Sequence, residues 1–183
     1  MVLGALAEAV GWRLVATGRA MVWRIMPAIL LAMGVAAVLA RPPVAVTKVG
    51  DGVALVVGVG SGLALYLATR VFVAVAGVWE PFRRGVVEKY QDAATVSMPV
   101  SLALSLLVMV PAEELFWRGL FQGRLDQSLA AFAAAAWTWL AYVGTNVASG
   151  SLPIVAGAVV GGALWTGLML ALPPGAGRRG HAE

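Results

Sequence analysis

Long apolar runs separated by short polar interruptions dominate the pattern along the chain. A helix that crosses a membrane needs about 20 mostly apolar residues. Five stretches reach or approach this length: residues 21–40, 53–78, 96–112, 129–148 and 152–172. The pattern therefore predicts an all-α fold, a polytopic transmembrane helical bundle of about five spans.

Two more polar segments are predicted to lie along the membrane surface. In residues 1–20 the apolar side chains recur at roughly helical spacing beside Glu8 and two arginines, which is typical of an amphipathic interfacial helix. Residues 80–94 are the most polar internal segment and are predicted to form an interfacial helix or loop. Because no polar linker is long enough to separate two cores, residues 1–183 are predicted to form a single membrane domain. Its bundle covers residues 21–172, and a polar tail covers residues 173–183.

Individual residues within the spans predict how the helices end and pack. Arg70 is the only charge of the second span and can reach the interface if the span ends near it, with residues 71–79 continuing as a bent or interfacial helix. The last two spans are separated only by residues 149–151, which predicts an antiparallel hairpin. Gly157 and Gly161 have the small-xxx-small spacing that favours close helix contact in lipid. Glycine is also common in membrane helices without such a contact.

Composition and charge agree with a membrane protein. Of the 183 residues, 61% are hydrophobic and 12% are charged, whereas a soluble domain carries about 25% charged residues. The absence of cysteine excludes disulfides, thiolate catalysis and cysteine-ligated metal sites. The thirteen basic residues are scattered, so they indicate membrane-surface anchors rather than a nucleic-acid partner. With five spans, seven of them lie on one side and six on the other, which leaves the orientation open.

The chain places two adjacent carboxylates and an arginine within an apolar region. Glu113, Glu114 and Arg118 follow the uncharged residues 98–112. Ionisable groups at membrane depth are costly and often mark function. In a helix, Glu114 and Arg118 are four residues apart and can form an ion pair, while Glu113 points about 100° away from Glu114. Glu113 is then a candidate general base for a water molecule. The alternative is that Arg118 only neutralises Glu114 at the membrane boundary and Glu113 faces the headgroups.

Residues 113–119, EELFWRG, resemble the E-E-x-x-x-R-G signature of the CPBP family. This family comprises the type II CAAX prenyl endopeptidases and bacteriocin-processing or immunity proteins. The resemblance covers about residues 96–172 and implies a CAAX-protease-like fold in a bacterial cell (inner) membrane. In the family, the first glutamate activates a water that attacks the scissile amide, helped by histidines and an asparagine within the membrane. Carried over by position, the resemblance implies that Glu113 is the base, Glu114 its partner and Arg118 the organising residue.

The histidines that the resemblance implies do not follow at the expected positions. The family has an F-x-x-x-H motif on the helix after the glutamates, and then an H-x-x-x-N/D motif, for which no counterpart is found. If Trp139 takes the aromatic position, Val143 stands where histidine is expected, and Tyr142 or Asn146 are the polar groups nearby. The single histidine, His181, lies in the polar tail. Three His or Cys ligands do not exist, so neither a zinc ion nor another cofactor is expected.

Three functions are compatible with these observations. The favoured one is an inactive or altered CPBP-like protein that serves as a binding or scaffold subunit in a membrane assembly, because loss of one oxyanion donor already costs about 10²–10³ in rate. The first alternative is an active intramembrane endopeptidase in which Glu113 activates water. The second is a small transport subunit. The expected partners are the lipid bilayer and either other membrane subunits or a membrane-embedded peptide, and not nucleic acid.

Overall fold

The computed structural model describes residues 1–40 and 51–171, and these form helices joined by short turns, with no strand among them. The seven helices of this part of the chain are α1 (Val2–Ala16), α2 (Val22–Leu39), α3 (Asp51–Ala76), α4 (Glu80–Ala93), α5 (Met98–Leu125), α6 (Ala131–Val147) and α7 (Leu152–Ala171). The prediction of an all-α fold is thus confirmed for the described residues. The predicted polar tail and His181 lie outside them.

Three helices are long and apolar enough to cross a membrane: α2, residues Leu55–Ala76 of α3, and α5. Helix α7 contains a shorter apolar stretch, Leu152–Gly167, and α6 has 17 residues. The described part of the chain therefore has the character of a membrane protein. The count of five spans stays a prediction for α6 and α7.

Helix α5 corrects the expectation that the third span ends at the glutamate pair. It continues through the charged residues to Leu125, with wider π-helical turns at Ser105–Met109 and Leu115–Gln122. The first of these precedes Pro111, which has no N–H to donate and is poorly tolerated inside a regular helix. The helix continues because Phe116, Trp117 and Leu120 bury apolar surface beyond the charges.

Helix α3 is continuous through Arg70 and ends at Ala76, so the helix does not break at its only central charge. None of its candidate span Leu55–Ala76 is buried within the described chain. Its contact with the next helix includes Phe72 and Phe82, whose ring centroids are 5.4 Å apart in an edge-to-face arrangement. The side chains of α3 are therefore left largely to face lipid or another molecule.

The hydrophobic core lies between α2 and α5. Its buried members are Leu30, Met33 and Ala37 on one helix and Ala112, Phe116, Trp117 and Leu120 on the other. The two backbones approach closely at Gly34, where an added Cβ would lie 2.9 Å from Ala112 Cβ and 3.0 Å from Ala112 Cα. This contact holds α5 close to α2 at Ala112, the residue before Glu113. Helix α1 packs across α2 and α6 and completes the same core.

Helices α6 and α7 form the predicted hairpin, connected by a tight turn in which Gly150 has a φ of 62°. A side-chain bond links the two helices, because Trp139 Nε1 donates to the backbone oxygen of Val159 at 3.1 Å. This bond lies several turns away from the connection, so the two helices stay in contact beyond the tight turn.

The glycine that packs closely within the described part of this hairpin is Gly162, rather than Gly157 or Gly161. A Cβ at Gly162 would lie 2.7 Å from Trp139 Cδ1, whereas one at Gly157 or Gly161 would meet no atom of the described chain within 4 Å. Within the described residues, the spacing of Gly157 and Gly161 thus brings no other helix into close contact, which agrees with the alternative that glycine is common in membrane helices without such a contact. The large indole of Trp139 leaves no room for a side chain at Gly162.

Candidate functional site

The predicted ion pair of the motif is present on α5. Arg118 Nη1 lies 3.6 Å from Glu114 Oε1, and the exposed fractions of the Arg118 and Glu114 side chains are 9% and 40%. Glu114 thus reaches towards the surface while Arg118 is almost enclosed. The pair extends from the outside of the bundle to its interior, as the four-residue spacing allows.

Tyr142 is the residue of α6 that faces the motif. Its ring centroid lies 5.1 Å from Arg118 Cζ and 5.6 Å from the ring centroid of Trp117. The guanidinium over the ring is a cation–π contact. Helix α6 therefore presents Tyr142 to the motif. The resemblance had implied the neighbouring position, Val143, for this place.

Glu113 points into the bundle rather than towards the headgroups. The residue is half-buried, and its carboxyl interacts with Arg118, with the Tyr142 hydroxyl and with a second carboxyl, that of Glu8. The sequence-based alternative, a Glu113 exposed to headgroups, does not agree with these surroundings. Glu113 and Glu114 instead lie in different environments, one internal and one partly exposed.

Glu8 of α1 is a member of this site that the sequence did not predict. The residue has an exposed fraction of 0%. Trp117 Nε1 donates to its Oε2 at 2.9 Å, and Thr145 Oγ1 lies 3.5 Å from its Oε1. The Thr145 hydroxyl has one proton and also lies 2.8 Å from the backbone oxygen of Tyr142, which is the shorter contact. The Trp117 indole is therefore the main donor to Glu8.

Burial raises the pKa of Glu8 to about 7, because the charged form is disfavoured away from water. The hydrogen bond from Trp117, the Trp12 and Thr145 side chains and the charge of Arg118 oppose this rise, in that order. The buried Trp12 N–H lowers the pKa of Glu8 although, within the described part of the chain, it does not reach any acceptor with the geometry of an ordinary hydrogen bond. A proton on Glu8 is thus gained or lost near neutral pH.

A signal in the sequence does mark the buried face of α1. Gly4 and Gly11 lie four residues before and three residues after Glu8, on the same side of a helix. A side chain at Gly4 would collide with the Phe116 ring, and one at Gly11 would lie 2.6 Å from Ile29 Cδ1. Two glycines on the same helix face as a charged residue thus indicate that this face packs closely against another helix. The spacing of the apolar residues alone does not reveal it.

Asn146, the other polar residue considered on α6, is occupied within its own helix. It is 3% exposed. Its Nδ2 donates to the backbone oxygen of Tyr142 at 2.9 Å, and its own backbone oxygen accepts from Ser149 Oγ at 2.6 Å. The amide therefore bonds within the last turns of α6, and among the described residues it makes no hydrogen bond to Glu113.

The site as a whole contains three carboxyls, one guanidinium and several neutral donors from α1, α5 and α6. Among residues 1–40 and 51–171, no group of three or more His, Cys, Asp or Glu side chains is arranged to hold a metal ion. Chemically, the arrangement can hold α1, α5 and α6 together through charge and hydrogen bonds.

Comparison with family models, with curated proteins and with solved structures gives no match to this chain. The fold and the site define its class only as a helical membrane protein with a buried carboxyl cluster. Its function has to be argued from that cluster.

Proposed function

We propose that this chain is a CPBP-like integral membrane protein without protease activity, which serves as a binding or scaffold subunit in a membrane assembly. In this function Glu113, Glu114 and Arg118 act as an internal latch between helices. The observation that carries the proposal is the mutual satisfaction of the polar groups: Glu114 pairs with Arg118, and Glu8 accepts from Trp117. Such a network supports structure because removal of one partner leaves a buried charge uncompensated.

The donors that peptide hydrolysis needs support the same conclusion. A general base must be accompanied by hydrogen-bond donors aimed at the developing oxyanion. Asn146 uses one of the two N–H groups of its amide on the backbone of α6, and the charge of Arg118 acts on Glu114, Glu113 and Glu8 together. The Tyr142 hydroxyl is the neutral donor that lies beside Glu113. One phenol in place of several histidines is a weak basis for catalysis.

The proposal includes five spans, a CAAX-protease-like arrangement and location in a bacterial cell (inner) membrane. Helix α6 has 17 residues, which corresponds to a length of about 26 Å, slightly below a hydrocarbon core of about 30 Å. A span of this length is accommodated by local thinning of the bilayer. The apolar side chains of α3, which are not buried within the described chain, supply a surface for a partner subunit or a membrane-embedded peptide.

A second candidate function, an active intramembrane endopeptidase, is favoured by one observation. Tyr142 lies beside Glu113, and its hydroxyl can donate to an oxyanion while Glu113 activates water. In this alternative the Tyr142→Phe variant loses activity to a similar extent as Glu113→Gln.

Cleavage of prenylated and other membrane peptides by the reconstituted protein tests both functions. The scaffold function predicts the same product formation for the native chain, Glu113→Gln, Glu113→Ala and Tyr142→Phe. Cleavage by the native chain that disappears in both Glu113 variants would overturn the proposal. Loss in Tyr142→Phe as well would assign the oxyanion donor of the alternative.

A further inference from the structure

A second site lies away from the carboxyl cluster, between α3, α4 and α7. It is a cavity of about 420 Å³. Its walls are mainly apolar and include Phe72 and Val73 from α3, Phe82 and Val86 from α4, and Ala156 and Val160 from α7. A volume of this size and an apolar lining with few polar groups are typical of small-molecule and lipid sites.

The cavity exists because of how two glycines are placed. At Gly85, an added Cβ would lie 2.9 Å from Pro153 Cδ, so α4 and α7 touch there. One turn further along α7, Gly157 lines the cavity, and a Cβ added to it would meet no described atom within 4 Å. The edge-to-face contact of Phe72 and Phe82 joins α3 to α4 on the other side. The open space at Gly157 therefore lies beside these two helix contacts.

The polar groups of the cavity lie at one end. Helices α3 and α4 are joined by the short turn at residues 77–79, and the Phe72–Phe82 contact lies nearest to that turn. Lys89 and Tyr90, on the later turns of α4, are at the distant end of the lining. Lys89 Nζ is paired with Asp92 and is partly exposed. The cavity thus has an apolar body, and the Lys89–Asp92 ion pair lies at its polar end, on the most polar described helix.

We propose that this cavity binds one acyl chain of an anionic phospholipid, with the lipid phosphate at Lys89. The apolar walls favour hydrocarbon over water, because an apolar cavity offers water no hydrogen-bond partners. The adjoining α3 has no buried residues in its candidate span, so its side chains face the phase from which lipid arrives. The Lys89–Asp92 pair is partly exposed, so a lipid phosphate can replace Asp92 as the partner of Lys89. Lysine attracts anionic headgroups, and its long side chain can carry the charge to the headgroup level.

Photocrosslinking in vesicles tests this site. The probe is phosphatidylglycerol with a diazirine in one acyl chain, present as a minor component of phosphatidylcholine vesicles that hold the full chain. Mass spectrometry of the crosslinked peptides is expected to find adducts on the walls of the cavity, at Phe82, Val86 and Ala156. The Gly157→Leu variant is expected to lose these adducts. Its matched control is Gly161→Leu, one turn away on the same helix, which is expected to keep them.

The headgroup part of the proposal uses a second variant that leaves the apolar walls intact. Lys89→Gln is expected to reduce the preference for the phosphatidylglycerol probe over a phosphatidylcholine probe by about fivefold. Equal adduct yields in Gly157→Leu and the native chain would overturn the proposal, and so would adducts spread evenly over α3. An unchanged headgroup preference in Lys89→Gln would also overturn it.

Discussion

At the scale of single residues, the central feature is that the carboxyl of Glu8 is buried and held by one indole. The Trp117–Glu8 bond at 2.9 Å connects residues that are 109 positions apart in the chain. A charged group in such a place is costly unless it is bonded or neutralised by a proton. The behaviour of this carboxyl therefore gives a measurable description of the whole cluster.

The pH dependence of stability follows from Glu8. Its pKa is raised from 4.5 to about 7 by burial, so the folded chain holds the proton more tightly than the unfolded chain. Folding stability therefore falls as pH rises from about 4.5 to about 7, by up to roughly 3 kcal/mol. Unfolding in detergent across this range measures the effect. Glu8→Gln should flatten the profile, and Glu88→Gln, on the exposed surface of α4, should not. Identical profiles for Glu8→Gln and the native chain would contradict the assignment of the pH dependence to Glu8. The dependence would then come from groups that both proteins retain, since Glu113 and Arg118 are present in both.

Arg118 is expected to compensate more than one carboxyl. Arg118→Ala should lower the free energy of unfolding by about 3–5 kcal/mol, because it leaves buried negative charge without a partner. Adding Glu113→Gln should restore more stability than adding Glu114→Gln, since Glu114 is 40% exposed and can be solvated. Chemical unfolding of the two double variants measures this order. Equal or greater rescue by Glu114→Gln would mean that Arg118 serves the exposed pair alone.

At the scale of elements, the sequence predicted the helices but not where every helix ends or which face is buried. The apolar runs placed α2, α3, α6 and α7 to within a few residues of their observed ends, and the polar segment 80–94, predicted as an interfacial helix or loop, is the helix α4. The end of α5 was missed because the charges at Glu113 and Glu114 interrupt the apolar pattern, while Phe116 and Trp117 pack into the core beyond them. The inward face of α1 was missed because Glu8 interrupts the apolar pattern. Tertiary contacts bury this face, and the periodicity of the sequence does not indicate them.

The contact between α2 and α5 gives a prediction at this scale. Gly34→Ala should reduce the free energy of unfolding by about 1–3 kcal/mol, because the new methyl group overpacks the approach to Ala112. Gly144→Ala on α6 is the matched control, since its added methyl meets no described atom within 4 Å and alanine favours helix. Unfolding in detergent compares the two. A Gly34→Ala variant as stable as Gly144→Ala would show that the helices do not approach as described.

At the scale of the whole molecule, the arrangement of the helices in the membrane is the prediction that remains. The chain lacks cysteine, so single cysteines report without background. If α5, α6 and α7 all cross, Gln127→Cys should be labelled from one side, and Glu88→Cys and Leu152→Cys from the other. Impermeant maleimide on sealed vesicles makes this measurement. Labelling of Gln127→Cys and Leu152→Cys from the same side would show that α6 does not cross and would remove the five-span arrangement.

The most direct test of the central claim measures cleavage and stability on the same samples of native chain, Glu113→Gln and Glu113→Ala. A latch predicts that Glu113→Ala lowers the free energy of unfolding by about 1–3 kcal/mol, because Arg118 and Tyr142 lose a partner. It also predicts that no variant differs from the native chain in cleavage of membrane peptides. Cleavage by the native chain that is lost in Glu113→Gln, with stability unchanged, would contradict the latch and identify Glu113 as a catalytic base.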